Sequence, residues 1–382
     1  MNATVPPPRT LQGLPNVRTE DGKPIIALNV RECRTKNFIG ELQRRGFRIV
    51  EFQTIGHGFE LPNLFAFIRA VRHSKFVLCG TAVPSQIPWI LLIRLLKRCC
   101  VVDCPMDIVE WPFPVVRHWK WGVWLSLKCA TLILTIRSRA YLIRKFGLDN
   151  RRVLFIESCP DSNRVEASLA GTPRYRPRPG AFLVCCSGCH MPHRLERFMQ
   201  TFESLLALVP SAELLLIGDL EQPSVVESKR FARAAGIGDR IHAIPIIESV
   251  EDFYATVAQC GLWVATMGDD TLQGRHEFRM ELLEIGLLGR PVIAAPTPGL
   301  VEHGLVDGQE ILYMDPSEPQ GSARKIADYV SNPTVLAEIG RRLGQRVRHE
   351  YSLERAVDGL LSGVSRAGVV PQGETIDGQT HF

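Results

Sequence analysis

A glutamate inside an apolar run is the residue whose setting most directly suggests chemistry. Glu284 lies in the segment 282–288, whose leucines, isoleucine and glycine nearly encircle the predicted helix. An unpaired buried carboxylate is costly, so Glu284 is expected to have polar partners or to hold a ligand. Gly289 then ends the helix, and residues 292–295 form a short buried strand. The turn at 296–299 follows that strand at its carboxyl end, where open α/β sheets bind ligands.

The elements around Glu284 resemble the nucleotide-sugar site of retaining glycosyltransferases of the GT-B architecture, the glycosyl transferases group 1 or family 4-like enzymes. The family form is a glutamate, seven residues, a second glutamate on a helix, Gly-x-Pro, a valine-rich strand, and a turn with glycine and glutamate. Glu284 falls on the second glutamate, which in this family hydrogen-bonds the donor ribose. Residues 289–293 fall on the Gly-x-Pro-Val-Val element. Gly299 and Glu302 fall on the turn, which implies that they contact the donor.

Other positions of the family form are replaced in this sequence. His276 occupies the position of the first glutamate and Glu277 follows it, so the resemblance implies that one of them contacts the donor sugar in catalysis. The family neutralises the donor diphosphate with an arginine and a lysine, and these positions fall on Gly188 and Arg194. Arg275 and Arg279 are candidates to supply the missing cation, because arginine suits bidentate phosphate contact, and Arg279 is the expected one. Alternatively, Arg194 only faces water, and the loop at Gly188 offers backbone N–H groups.

Three residues of the N-terminal half are candidates to face the sugar or the acceptor. Asp107 and Glu110 follow the predicted strand 99–103, in an acidic loop that looks like the loop at this position in some GT-B transferases. Asp107 is the candidate to face the sugar, with a helix cap as the alternative role. His57, between two glycines, is expected on a loop that faces the same cleft, with an ordinary turn histidine as the alternative.

The cysteines indicate buried thiols rather than a disulfide framework. The sequence contains 11 cysteines, an odd number, and most lie in apolar runs. Residues 185–193 include a Cys-x-x-Cys-His pattern that has three interpretations: c-type haem attachment, a zinc site, or a strand end with a glycine loop. The strand end is favoured, because no second ligand pair follows at zinc-finger spacing.

Charge is distributed unequally between the two halves of the chain. Residues 1–170 contain 25 Lys and Arg against 13 Asp and Glu, whereas residues 171–382 contain 20 against 27. A basic N-terminal half fits an anionic acceptor or an anionic membrane surface. Residues 88–98 and 118–124 mix cations with tryptophans, as helices on a membrane surface do, although core packing explains their apolar residues equally. No nucleic-acid-binding motif accompanies the charge, so nucleic acid is not an expected partner.

Strand and helix patterns alternate along the chain, which predicts the α/β class with doubly wound parallel sheets. The length of 382 residues and the resemblance together imply two Rossmann-like domains that face a cleft, the GT-B fold. No secretory signal or transmembrane run is found, so the protein is expected in the cytoplasm, peripheral on the inner face of the membrane. The expected parts are a disordered arm (1–23), an acceptor-side domain (24–165), a nucleotide-sugar-binding domain (166–350), a helix that crosses back to the first domain (351–366) and a disordered tail (367–382).

The resemblance implies transfer of a sugar, with retention, from a nucleotide diphosphate-sugar to a hydroxyl acceptor. The expected acceptor is a glycan, a glycolipid or another lipid-linked polysaccharide precursor. Such enzymes need no metal and no cofactor, because cations and helix N-termini stabilise the departing diphosphate. Two alternatives stay open: a nucleotide-sugar epimerase of the same fold, and a non-catalytic protein that binds a nucleotide sugar or a partner subunit.

Overall fold

The computed structural model consists of two parallel β-sheets, each covered by helices on both faces. It describes residues 23–29, 33–53, 64–80, 86–104, 116–136, 146–187, 192–265 and 280–369.

The first sheet is formed by six parallel strands in the order β2-β1-β3-β4-β5-β6. Its register pairs Ile25 with Ile49 and Val77 with Cys100, so apolar side chains of neighbouring strands lie side by side. The strands are β1 (Ile25–Leu28), β2 (Ile49–Phe52), β3 (Val77–Cys79), β4 (Cys100–Asp103), β5 (Leu132–Thr135) and β6 (Val153–Phe155).

Helices cover both faces of this sheet. Within the described residues, the α-helices of the first half of the chain are α1 (Cys33–Arg44), α2 (Leu64–His73), α3 (Ile87–Leu95) and α4 (Val116–Cys129). Buried residues of α2, α3 and α4, such as Phe67, Ile90 and Leu127, pack together on one face. Phe38 of α1 belongs to a separate cluster on the opposite face. This division follows from the strand order, because right-handed crossovers to the left and to the right of β1 place their helices on opposite faces.

The second sheet also has six parallel strands, in the order β12-β11-β10-β7-β8-β9. Its strands are β7 (Phe182–Ser187), β8 (Ala212–Ile217), β9 (Ile241–Ile244), β10 (Leu262–Val264), β11 (Val292–Ala294) and β12 (Leu312–Tyr313). The α-helices that the structure describes from residue 162 onward are α5 (Ser162–Ala167), α6 (Pro192–Leu208), α7 (Pro223–Ala234), α8 (Val250–Val257), α9 (Met280–Leu287), α10 (Pro298–Glu302), α11 (Pro319–Val330), α12 (Pro333–Glu350) and α13 (Leu353–Val369).

Helix α13 packs on the first sheet although it comes last in the chain. It contacts α1, β5 and β6, and its residues Val357 and Leu360 are fully buried. Arg45, directly after α1, forms an ion pair of 2.5 Å with Asp358. Residues 353–369 therefore cover a face of a sheet that begins at residue 25.

The α/β class and the two doubly wound sheets predicted from the sequence are confirmed, and each of the twelve strands overlaps a predicted strand. Two features differ from the prediction. Residues 116–129 form one helix, longer than the segment 118–124 whose composition is typical of a surface helix, and the predicted turn at 296–299 overlaps the start of a short helix, α10. The terminal segments 1–23 and 367–382 lie largely outside the described residues, and the domain boundaries remain predictions. No helix in the described parts of the chain is long and apolar enough to span a membrane.

Candidate functional site

The carboxyl end of β7 meets the first turn of α9. Ser187, the last residue of β7, donates a hydrogen bond from its hydroxyl to the carboxylate of Glu281. Glu281 and Glu284 are three residues apart on α9, so both carboxylates lie on the same side of this helix. A parallel sheet of this kind binds ligands at the carboxyl ends of its strands, which places the two glutamates at the edge where a ligand is expected.

Glu284 is a half-buried carboxyl group in the middle of a buried helix. Leu282, Leu283, Ile285, Gly286 and Leu287 around it are buried, as the sequence pattern predicted. Its carboxylate accepts a hydrogen bond from the phenol of Tyr254 on α8, and Arg164 on α5 is the nearby positive charge. Glu284 therefore has the polar partners that its setting required.

Burial determines the protonation behaviour of this pair. Loss of hydration raises the pKa of Glu284 above its usual value, while the hydrogen bond from Tyr254 and the charge of Arg164 act in the opposite direction. The pKa of Tyr254 is also raised, by its own burial and by the charge of Glu284, so its phenol stays protonated and remains a donor. The carboxyl group is held in one position and keeps acceptor capacity for a hydroxyl group.

The turn after β11 begins a short helix, α10. Thr297 precedes this helix and its hydroxyl accepts the backbone N–H of Leu300 at 3.4 Å. Gly299 is buried and Glu302 is exposed. The structure therefore presents the Glu302 side chain to solvent, whereas Gly299 can offer only backbone groups.

A buried histidine joins the second sheet to the end of the first. His303, directly after α10, is 6% exposed, and its Nδ1 lies 3.1 Å from the hydroxyl of Tyr351. Its Nε2 lies 3.9 Å from Glu157, which follows β6. Three polar side chains thus meet where the two sheets approach each other, and none of them was singled out from the sequence.

Most residues predicted for the site lie outside the described part of the chain. Glu284, Gly299 and Glu302 are described, and α6 contains the backbone of Arg194 but its side chain is not described. The ribose-binding role of Glu284 and the donor-binding roles of Gly299 and Glu302 stay predictions. The other predicted residues, which lie outside the described residues, are His57, Asp107, Glu110, Gly188, Arg275, His276, Glu277 and Arg279.

The residues that contact Glu281 and Glu284 could be found only in part from the sequence. Glu281 lies one turn before Glu284, and that spacing alone could have identified it as a second carboxylate on the same face. Ser187 ends a predicted strand before a glycine, which is also a usable signal. Tyr254 and Arg164 approach Glu284 through the tertiary fold, and no local spacing indicates them.

No group of three or more His, Cys, Asp or Glu side chains within the described ranges could hold a metal ion. Of the residues in the Cys-x-x-Cys-His segment, Cys186 is a half-buried cysteine and the second-last residue of β7. Cys189, His190 and the side chain of His193 lie outside the described residues. The interpretation as a strand end therefore agrees with the position of Cys186 in β7.

Comparison with known proteins agrees with the sequence resemblance. Residues 181–332, less than half of the chain, match the model of the family described as glycosyl transferases group 1. The matched region contains the second sheet from β7 to β12, together with Glu281, Glu284 and α10. No curated protein sequence matches the chain.

Solved structures match the chain over both sheets. Anabaena HepE in complex with UDP and glucose has 16% sequence identity and a TM-score of 0.65, and the match covers 89% of this chain and 99% of that chain. Sucrose-phosphate synthase from Thermosynechococcus elongatus has 14% identity and a TM-score of 0.61, with 90% and 98% covered. A putative UDP-N-acetylglucosamine 2-epimerase from Listeria monocytogenes has 12% identity and a TM-score of 0.53, with 93% and 99% covered. These similarities confirm the GT-B fold.

Proposed function

We propose that this protein is a glycosyltransferase that moves a sugar from a nucleotide diphosphate-sugar to a hydroxyl acceptor, with retention of configuration. The observation that carries the proposal is the half-buried carboxyl group of Glu284, held by Tyr254 on the helix that precedes the Gly-x-Pro element. This helix lies within the region that matches the glycosyl transferases group 1 model. The structural similarity to HepE, solved with UDP and glucose, agrees with a nucleotide-sugar donor.

In the proposed mechanism, the second sheet binds the donor. Glu284 accepts hydrogen bonds from the ribose hydroxyls, and Arg279, Arg194 and the backbone at Gly188 and Gly299 bind the diphosphate. His276 or Glu277 contacts the donor sugar. Cations at the diphosphate stabilise the negative charge that develops as it leaves, so that no metal ion is needed.

The acceptor approaches from the first sheet in this proposal. Asp107 faces the sugar, and His57 and Glu110 lie on the acceptor side. A front-face transfer needs no protein nucleophile, because the departing diphosphate leaves from the face on which the acceptor hydroxyl attacks. This route retains the configuration at the anomeric carbon.

Release of free nucleotide diphosphate tests the proposal. The protein should be incubated with single nucleotide diphosphate-sugars, with and without a mixture of hydroxyl acceptors, and in the presence of a chelator. Release that requires an acceptor and survives the chelator supports metal-independent transfer, and NMR of the product reports retention or inversion. Glu284→Gln should reduce the release, whereas Glu203→Gln, at an exposed position in the middle of α6, should not.

The same experiment separates the alternative functions. The structural similarity to a putative epimerase favours one of them, because that reaction uses the same kind of donor. An epimerase would convert the nucleotide sugar without any added acceptor and would not need a hydroxyl substrate. A non-catalytic binding protein would bind the nucleotide sugar and release nothing in either condition.

We also propose that the outer face of the α2–α3–α4 layer contacts an anionic membrane. Three large side chains on this layer are well exposed: Phe65 at 86%, Leu95 at 78% and Trp121 at 63%. Trp89 is only 8% exposed and packs in the core, so core packing, and not a membrane contact, explains this tryptophan. Apolar side chains beside cations on one face are the composition of a helix layer that lies on a membrane surface.

Vesicle sedimentation tests the membrane contact. Binding to anionic vesicles should exceed binding to neutral vesicles and should fall at high salt, because surface charges are screened. Phe65→Ser should reduce binding more than Leu208→Ser, which replaces a half-exposed leucine of α6. Equal recovery in the supernatant with both kinds of vesicle would reject the membrane contact and leave the transferase proposal intact.

A further inference from the structure

A basic cavity lies at the edge of the first sheet, between α2 and the edge strand β2. Its volume is about 690 Å³. Side chains of both polar and apolar character line it: Lys23, Pro24, Arg48, Val50, Phe52, Ala66, Arg69, Ala70, Arg72, His73 and Arg98. The lining thus contains five Lys or Arg residues, one histidine and no carboxylate.

Acidic residues are also missing from a long segment of the sequence that includes α2 and α3. Residues 61–102 contain no Asp or Glu. Glu51 is the nearest acidic residue on β2, but Val50 and Phe52 line the cavity, so alternation directs the Glu51 side chain to the other face of the strand. None of the ion pairs within the described residues involves a Lys or Arg of this cavity. A concentration of positive charge that no described carboxylate pairs with is costly unless an anion binds it.

Structural roles account for only some of these cations. Arg98 donates from Nη2 to the backbone oxygen of Arg72, at the end of α2, where a positive charge is favourable to the helix dipole. The Nε of Arg98 is nevertheless buried and has no hydrogen-bond partner within the described residues. A buried donor without a partner indicates a missing acceptor at this position.

The position of the cavity separates it from the donor site. Lys23 precedes β1, Arg48 precedes β2, and Arg98 precedes β4, so these residues lie at the amino ends of the parallel strands. The proposed donor and acceptor groups lie at carboxyl ends, which in a parallel sheet form the opposite edge. The cavity is therefore a second site and does not depend on the proposed transferase function.

We propose that this cavity binds a ligand that carries phosphate groups. Arginine recognises phosphate through paired N–H donors, and several arginines in one cavity fit a ligand with more than one negative charge. The apolar wall of Val50, Phe52 and two alanines fits the organic part of such a ligand. The same chemistry is presented by a soluble phosphorylated molecule and by the headgroup of an anionic lipid.

Two probes distinguish these sources. Inorganic pyrophosphate, followed by calorimetry, represents a soluble phosphate ligand. Vesicles of phosphatidylcholine with and without cardiolipin, which carries two phosphates, represent the lipid headgroup. The variants are Arg69→Gln/Arg72→Gln, both at exposed positions, and Arg48→Gln as an independent change on the strand side of the cavity. The control is Arg324→Gln/Arg366→Gln, which removes two exposed arginines outside the cavity.

The expected result is loss of binding by about tenfold or more in both cavity variants and retention in the control, because charged hydrogen bonds to phosphate are lost. If the cavity variants lose pyrophosphate binding, the ligand is a soluble phosphorylated molecule. If they lose only binding to cardiolipin vesicles, the ligand is a lipid headgroup. Circular dichroism checks that the variants are folded. No binding of either probe by the wild-type protein, or equal loss in the cavity and control variants, would overturn the proposal.

Discussion

Gly340 of α12 packs directly on the carbonyl group of Gly289, the residue that ends α9. A Cβ atom at position 340 would lie 2.8 Å from the carbonyl carbon of Arg290 and closer still to the oxygen of Gly289. One turn later, a Cβ at Gly344 would lie 2.5 Å from the backbone oxygen of Gly286. The helix that carries Glu284 is therefore positioned by backbone contact with α12.

Gly340→Ala is predicted to lower the free energy of unfolding by about 1–3 kcal/mol, because the new methyl group overlaps backbone atoms that cannot move independently. Gly40→Ala is the matched control. Gly40 lies within α1, and a Cβ there would meet no atom within 4 Å. Replacing a helical glycine without a clash should stabilise the protein by up to about 1 kcal/mol. Urea denaturation measures both values, and a loss of stability in both variants would contradict the contact argument.

Glu284→Gln is predicted to weaken binding of the nucleoside diphosphate by about 1.5–3 kcal/mol, the contribution of a hydrogen bond to a charged group. Calorimetry with the best nucleotide from a thermal-shift screen measures this change. Glu203→Gln, at an exposed position of α6, serves as the control. Unchanged affinity in the Glu284 variant would mean that the carboxyl group has only a structural role with Tyr254.

The same variant should change how stability depends on pH. Burial raises the pKa of Glu284 above 4.5, so its contribution to stability is fully present below pH 4.5 and is lost as the pH rises through the folded-state pKa. Glutamine cannot ionise, so Glu284→Gln should have the higher melting temperature near neutral pH. This advantage should shrink as the pH falls through the folded-state pKa and should be absent below about pH 4.5. A difference in melting temperature between the variant and the wild-type protein that is equal at all pH values would contradict a raised pKa of Glu284.

Arg279→Ala is predicted to weaken binding of the nucleoside diphosphate far more than binding of the nucleoside, because the Arg279 guanidinium is expected to contact the diphosphate. Calorimetry with each ligand measures the two affinities. Arg197→Ala, at an exposed position of α6, should affect neither ligand. Equal losses of affinity for the two ligands would indicate that the Arg279 side chain has a structural role. If neither affinity changes, the diphosphate must be bound by other groups.

Tyr175→Phe is predicted to lower the free energy of unfolding by about 1.5–3 kcal/mol, the contribution of a hydrogen bond to a charged group. The Tyr175 phenol donates at 2.7 Å to Glu213, a fully buried carboxylate on β8, and Arg178 lies 3.2 Å from the same side chain. These contacts attach the segment before β7 to the second sheet. Tyr313→Phe is the control, because the Tyr313 hydroxyl lies 3.4 Å from a neutral carbonyl of Leu305. Similar losses of unfolding free energy in the two variants would mean that the hydrogen bond to the Glu213 carboxylate contributes no more than one to a neutral carbonyl.

The strands were predictable because each is a short apolar run bounded by turn residues, such as 25–28 before Asn29. Helix α4 is indicated in the sequence only by the cations and tryptophans of residues 118–124, because tryptophan, valine and Gly122 are weak helix formers. Its stability comes from packing of Val123 and Leu127 on the sheet. In the candidate site, the unusual glutamate could be identified from its apolar neighbours. Its partner Tyr254 could not, because tertiary contacts leave no pattern of spacing in the sequence.

The position of α13 has a consequence for synthesis of the protein. A chain that leaves the ribosome from its amino end completes all six strands of the first sheet long before residues 353–369 exist. Until then, the surface that Val357 and Leu360 later cover is left without its last helix, and an exposed apolar surface of this kind favours aggregation. The first sheet thus reaches its final packing only after the second has been translated, and a ribosome stalled before Leu353 would carry an incomplete N-terminal domain.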